Sequence, residues 1–224
     1  MTWGRAGVVL FAVSAGVFLY TYAFPFGVVR EGSPAAVDVV MNAALFALFA
    51  GHHSLFARTP IRARVARTMP PPGERVLYVW IASLLLILLC AGWRPLDGVV
   101  WALRGWAAWG LYTLHVGGVW LILRSAAVID PRELTGLAAP APGGPDFRRA
   151  GPYGRVRHPI YAGWLLLTCT TPVMTMDRFV FGMLGAVYVL IAIRLEEGTL
   201  RRTGGAAYAR YAAGVRWKLV PGIY

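Results

Sequence analysis

The chain has 224 residues, of which 58% are hydrophobic and only 14% charged, and its mean hydropathy is +0.57. That composition excludes a soluble globular fold, and once membrane helices are subtracted too few residues remain for a separate soluble domain. The formal net charge of +12 raises a nucleic-acid reading, but the basic residues follow membrane topology instead.

Apolar runs long enough to cross a hydrocarbon core, which takes about 20 residues in a helix, predict six spans, at 6–25, 35–57, 76–93, 105–124, 159–175 and 179–195. The first follows a lone Arg5 and outlasts a signal peptide, so it reads as an uncleaved anchor. It ends in Tyr20, Tyr22, Phe24, Pro25 and Phe26, an aromatic belt of the kind found at membrane interfaces. The second begins after Pro34, a favoured first-turn residue, and ends in Gly51-His52-His53-Ser54. The loop beyond it breaks at Pro70-Pro71-Pro72-Gly73. The third span, Val76 to Trp93, is apolar nearly all round and reads as lipid-facing. In the fourth, Gly105, Gly110, Gly117 and Gly118 permit close helix packing.

The longest polar segment, Ser125 to Arg157, contains a Pro- and Gly-rich stretch at 138–145 that cannot be regular structure. It reads as a lid or a slack connection. A very short turn at 174–178 joins spans five and six into an antiparallel hairpin. Arg157-His158 and Glu196-Glu197 therefore emerge on one side, at one depth. The tail from Gly198 to Ala213 reads as an amphipathic helix, with Leu200, Tyr208 and Tyr211 opposing Arg201, Arg202 and Arg210, weakened at Gly204-Gly205. The expected fold is an all-α polytopic membrane bundle of about six transmembrane helices, with a C-terminal helical hairpin and a cytoplasmic amphipathic tail. It forms one domain over 1–224, with N-terminal helices in 1–130 and a cofactor-binding half in 147–224.

With the N-terminus in the cytoplasm, only Arg30, Arg94, Arg104 and Arg178 of the 22 Lys and Arg residues fall on the outer side. This bias puts both termini inside and suits contact with anionic lipid headgroups rather than nucleic acid. Cys90 and Cys169 both lie in apolar spans and read as core thiols, and nothing in the sequence has the ligand number and spacing of a metal cluster.

Three groups of residues carry chemistry. Pro159 fits the first turn of span five, where helix N–H groups are unsatisfied and partly positive. With Arg157 and His158 beside them, either an anion pocket or headgroup anchoring follows. Glu196-Glu197 is the sharper signal, because carboxylates at a membrane boundary are costly without partners. Adjacent helical residues point about 100° apart, so one carboxylate can face the hairpin and accept hydrogen bonds from a diol; the bland alternative pairs them with Arg194 or Arg201. His52 and His53 lie on the same side. One of them reaches the site, or they are axial haem ligands with His115 or His158, or they are hydrogen-bonded interface histidines.

The stretch Gly151-Pro152-Tyr153-x-x-Val156-Arg157-His158-Pro159-x-Tyr161-x-Gly163, with Glu196-Glu197, Leu200, Gly205, Tyr208, Tyr211 and Pro221, resembles the signature of the isoprenylcysteine carboxyl methyltransferase and phospholipid methyltransferase superfamily. The N-terminal half, through His53-Ser54-x-x-Ala57-Arg58, Glu74-Arg75-x-x-Tyr78, Trp93-Arg94-Pro95 and Ile129-Asp130-x-x-Glu133-Leu134-x-Gly136-Leu137, is similar to bacterial methanethiol S-methyltransferases. The resemblance implies S-adenosylmethionine as cofactor, held by Gly151, Tyr153, Val156, Arg157, His158, Pro159, Tyr161, Gly163, Glu196 and Glu197. It implies methyl transfer at the bacterial inner membrane, on the cytoplasmic side, to a small-molecule or lipid-like acceptor. A thiol such as methanethiol leads the candidates, followed by a prenylcysteine carboxylate or a lipid amine. Arg194 and His53 are expected near the acceptor, Arg194 favouring an ionised nucleophile and His53 taking its proton, with Glu197 counted among the catalytic groups. The ending from Trp217 to Tyr224 also resembles NADPH-dependent membrane sterol reductases, and the His53-Ser54 stretch the haem-linked NnrU group.

Overall fold

A computed structural model describes residues 2–56, 61, 64–65, 67–69, 73–129, 132, 135, 137 and 149–224. The expected lid or connection at 138–145 lies outside the described residues, as do Ala57, Arg58, the prolines 70–72, Asp130, Glu133, Leu134 and Gly136. Among the described residues six α-helices dominate: α1 (Thr2–Ala23), α2 (Ala36–Phe56), α3 (Gly73–Gly92), α4 (Gly105–Ala126), α5 (Pro159–Cys169) and α6 (Met176–Gly214). Five of them are long and apolar enough to cross a membrane. The exception is α5, whose 11 residues rise about 16 Å at ~1.5 Å per residue, roughly half of a ~30 Å hydrocarbon core.

The predicted span 159–175 is thus shorter than expected. Thr170 departs from helical geometry, Pro172 follows, and the chain becomes strand β2 (Val173–Thr175). It pairs antiparallel with β1 (Val99–Ala102), with Val99 opposite Thr175 and a bulge before Trp101. Hydropathy does not distinguish such a ribbon from the end of a span.

The chain divides into two compact units. The first comprises Met1–Ala102, Arg132–Ala139 and Val173–Val180, hence α1, α2, α3, the ribbon and the start of α6. Here α1 packs on α3 at Gly7, where a Cβ would stand 3.0 Å from the Trp80 indole nitrogen. The fully buried Asn42 side chain pairs with the backbone of Arg94 through two hydrogen bonds of 2.8 Å, as a strand partner would. Asp177, 1% exposed, accepts from Arg30 at 2.8 Å, the Trp93 indole at 2.8 Å and the Leu96 amide at 2.9 Å. Arg178 donates to the carbonyls of Tyr22, Ala23 and Val173 and lies over the Tyr22 ring. It thereby supplies donors that the last turn of α1 otherwise lacks.

The second unit comprises Leu103–Pro131, Pro140–Pro172 and Phe181–Tyr224. Its helices α4 and α5 touch backbone to backbone. A Cβ on Gly118 would lie 2.7 Å from the Gly163 carbonyl, and one on Gly163 would lie 2.8 Å from the Gly118 carbonyl. In a bilayer, where apolar burial does not drive helices together, small residues of this kind permit close van der Waals contact. Ala162, Val189, Ile193 and Leu219 form the core, flanked by Tyr161, Trp164 and Leu165. Helix α6 does not end with the predicted span at 195: it continues past Glu197 and breaks at Gly205, whose φ of 48° and ψ of −130° suit glycine alone. The tail beyond it buries Tyr208, Tyr211 and Val215 together.

Candidate functional site

The site is built in the second unit on the first turn of α5. Its entry is fixed by backbone pairing that the sequence did not suggest. The Arg157 amide donates to the Trp217 carbonyl and the His158 amide to the Lys218 carbonyl, both at 2.9 Å. His158 is the N-cap of α5 and Pro159 its first residue, where a missing N–H costs no helical hydrogen bond. The buried Val156 and Pro159 anchor this segment.

Glu197 lies opposite, on α6. Arg157 grips it with two prongs, Nε to Oε1 at 2.7 Å and Nη2 to Oε2 at 3.3 Å. Both side chains are nearly sealed, at 7% and 5% exposure. His158 Nε2 donates to Glu197 Oε1 at 3.1 Å. The remaining prong of Arg157, Nη1, donates to the carbonyls of Val215 and Arg216 at 2.8 and 2.9 Å. One guanidinium therefore ties α5, α6 and the end of the tail. A buried ion pair is tolerated only when its remaining donors and acceptors are also satisfied, and here they are. The anion pocket expected around Arg157 is filled by the protein's own Glu197 carboxylate.

Glu196 differs in every respect. Its side chain is 45% exposed. It accepts one hydrogen bond, from the Tyr161 hydroxyl at 3.1 Å, and its carboxylate lies 3.7 Å from His158 Nδ1. The His158 and Tyr161 rings stack at 5.6 Å with 13° between planes, which makes a flat platform beside that carboxylate. Tyr211 donates to the Tyr153 carbonyl at 3.0 Å, drawing the tail over the 151–154 turn. Burial pushes the Tyr153 phenol well above its ordinary range, and the charge of Glu196 and the Tyr211 phenol push it the same way. Gly151, with φ of 55°, starts that turn, and Gly163 sits at the α4–α5 contact.

Of the expected site residues, Tyr153, Arg157, His158, Tyr161, Glu196 and Glu197 therefore gather in one unit. Arg194 is exposed on α6 and makes no ion pair among the described residues. His53 belongs to the first unit, where its Nδ1 lies 2.7 Å from the Tyr78 hydroxyl. Sequence reasoning missed the Val215 and Arg216 carbonyls as partners of Arg157. No side-chain pattern could have revealed them, because any residue offers a carbonyl.

No family model matches the chain. It is similar to methanethiol S-methyltransferase 2 of Bradyrhizobium diazoefficiens, 32% identical over 99% of this chain and 93% of the relative. The chain belongs to the methanethiol S-methyltransferase family. A Mycobacterium tuberculosis methanethiol S-methyltransferase is 32% identical over 89% of this chain and 90% of its own length. Bovine nurim is 28% identical over 74% of this chain and 69% of its own length. The chain is thus an integral membrane enzyme of the methyltransferase type.

Proposed function

We propose that the protein transfers a methyl group from S-adenosylmethionine to a small thiol, methanethiol in the first instance, at the cytoplasmic face of a bacterial inner membrane. The acceptor follows that named for several relatives, the methanethiol S-methyltransferases. The orientation follows the concentration of Lys and Arg on one side of the spans. The cofactor supplies a methyl group activated by a sulfonium centre; the protein supplies position and surroundings. When thiolate and sulfonium react, two opposite charges vanish, so a poorly hydrated site assists.

One observation carries the cofactor assignment: the two neighbouring carboxylates have opposite environments. Glu197 is sealed and saturated, whereas Glu196 is half-open beside a His–Tyr platform. Glu196 and Tyr161 suit the polar diol of a nucleoside, and the stacked rings suit a flat or cationic group. Glu197 maintains that surface by holding Arg157 and His158 in place. Membrane lipids line the remaining apolar surface.

The test is calorimetric titration of the detergent-purified protein with S-adenosylhomocysteine. Saturable binding that weakens tenfold or more in Glu196→Ala supports the proposal. Absence of binding by well-folded wild-type protein refutes it.

A further inference from the structure

The end of the second unit that holds Arg157 and the two glutamates also carries cations that the site does not use. Arg149, Arg210 and Arg216 are exposed, and none of them forms an ion pair among the described residues. Glu196 is the one exposed carboxylate side chain among the described residues of this unit, and it is engaged by Tyr161. The three arginines are brought to one short stretch of the tail. Arg149 Nη2 donates to the Arg210 carbonyl at 3.2 Å. Its guanidinium lies against Gly214, where a Cβ would overlap it, and Arg216 stands two residues further on. Like charges gathered without a counter-charge repel one another, and their summed field attracts an anion. The same stretch has an apolar side. Trp217, Val220 and Ile223 are exposed, although the Arg157 and His158 amides pin the Trp217 and Lys218 carbonyls to the start of α5.

A solvated basic face accounts for the arginines but not for the exposed apolar side chains beside them. A nucleic acid matches the charge and leaves Val220 and Ile223 in water. A lipid surface matches both: its phosphodiesters carry negative charge, and Trp and aliphatic side chains enter the boundary between headgroups and acyl chains. We propose that Arg149, Arg210 and Arg216 seat the phosphodiester of an anionic phospholipid, with Trp217, Val220 and Ile223 dipping into the leaflet beside it. Guanidinium forks suit the paired oxygens of a phosphate, and the seat is partly preorganised because the Arg210 carbonyl already holds Arg149. Docking bears on the site through the backbone. Tyr211, next to Arg210, donates to the Tyr153 carbonyl, and the carbonyls of Val215 and Arg216 accept from Arg157. A bound headgroup therefore steadies the tail where it closes on the first turn of α5 and strengthens cofactor binding; this last consequence rests on the methyltransferase reading above.

The test adds phosphatidylglycerol or phosphatidylcholine of matched acyl chains to the full-length protein in detergent and counts retained lipid by native mass spectrometry. The wild type should keep phosphatidylglycerol at least tenfold better, since each basic residue near an anionic surface contributes about fivefold. The preference should vanish in Arg149→Gln/Arg210→Gln/Arg216→Gln. Arg210→Gln/Arg216→Gln, which leaves the Arg149 hydrogen bond in place, should lose most of it and covers the case in which the triple variant misfolds. Arg104→Gln, at the exposed N-cap of α4, should keep it. Absence of preference in the wild type, or a preference that survives both multiple substitutions or falls equally in Arg104→Gln, overturns the inference. Displacement of the lipid by an equal concentration of inorganic phosphate also overturns it, by marking a plain anion site. In nanodiscs, S-adenosylhomocysteine should bind severalfold tighter with phosphatidylglycerol present than in phosphatidylcholine alone, and the double variant should lose that gain. Equal affinity in both lipids refutes the coupling to the site. If the wild type binds no S-adenosylhomocysteine in either lipid while the headgroup preference holds, the cofactor reading falls and the lipid seat stands.

Discussion

The two adjacent glutamates should fail in different ways when each is truncated. Glu197→Ala removes the partner of a guanidinium that is 7% exposed and leaves it charged in a poorly solvated place. Breaking a buried pair from one side costs about 3–5 kcal/mol. At roughly 2–4 °C per kcal/mol for a chain of this size, the melting temperature should fall on the order of 10 °C. Glu196→Ala removes a carboxylate that is 45% exposed and holds one hydrogen bond, from Tyr161. Its stability cost should stay below about 1 kcal/mol. Its binding cost is larger: a hydrogen bond to a charged group contributes about 1.5–3 kcal/mol, which is tenfold or more in affinity. Thermal melts in detergent by intrinsic fluorescence, paired with S-adenosylhomocysteine titrations, separate the two. Glu197→Ala melting with the wild type, or Glu196→Ala binding as tightly as the wild type, would refute the division of labour between them.

Other substitutions probe the scaffold. Gly163→Ala places a Cβ 2.8 Å from the Gly118 carbonyl, which should part α4 from α5 and cost about 1–3 kcal/mol in a melt. Asp177→Ala strands the Trp93 indole and Leu96 amide as buried donors and Arg30 as an unpaired charge; it should destabilise by about 3 kcal/mol or more without altering S-adenosylhomocysteine affinity in protein that remains folded. The Tyr153 phenol is held neutral by burial, so its folded pKa exceeds the unfolded value of about 10. The stability this gives is present below that pH and declines as pH rises above it. Melts taken across that range should show a flatter decline for Tyr153→Phe than for the wild type.

Long apolar runs were legible because bilayer thickness sets their length. Predicted spans 35–57 and 105–124 differ by at most two residues at each end from Ala36–Phe56 and Gly105–Ala126. The early end of α5 was not legible, because Thr170, Thr171 and Val173 remain apolar enough to extend a hydropathy window. At the site, the motif brought Arg157, His158, Tyr161 and the Glu pair to attention, and the hairpin argument put them at one depth. It did not assign the two carboxylates, since that depends on where Arg157 points and on backbone carbonyls at 215 and 216. Asp177 offered a signal that went unused: an acidic residue between apolar segments needs a partner, and Arg30 and Trp93 provide it.

The most direct test of the central claim is product formation. Purified protein in detergent or nanodiscs, given S-adenosylmethionine and methanethiol, should release dimethyl sulfide at a rate that saturates with both and is abolished by excess S-adenosylhomocysteine. Folded protein that binds S-adenosylhomocysteine yet forms no dimethyl sulfide would contradict the thiol assignment. Folded protein that neither binds nor turns over would contradict the account of the site itself.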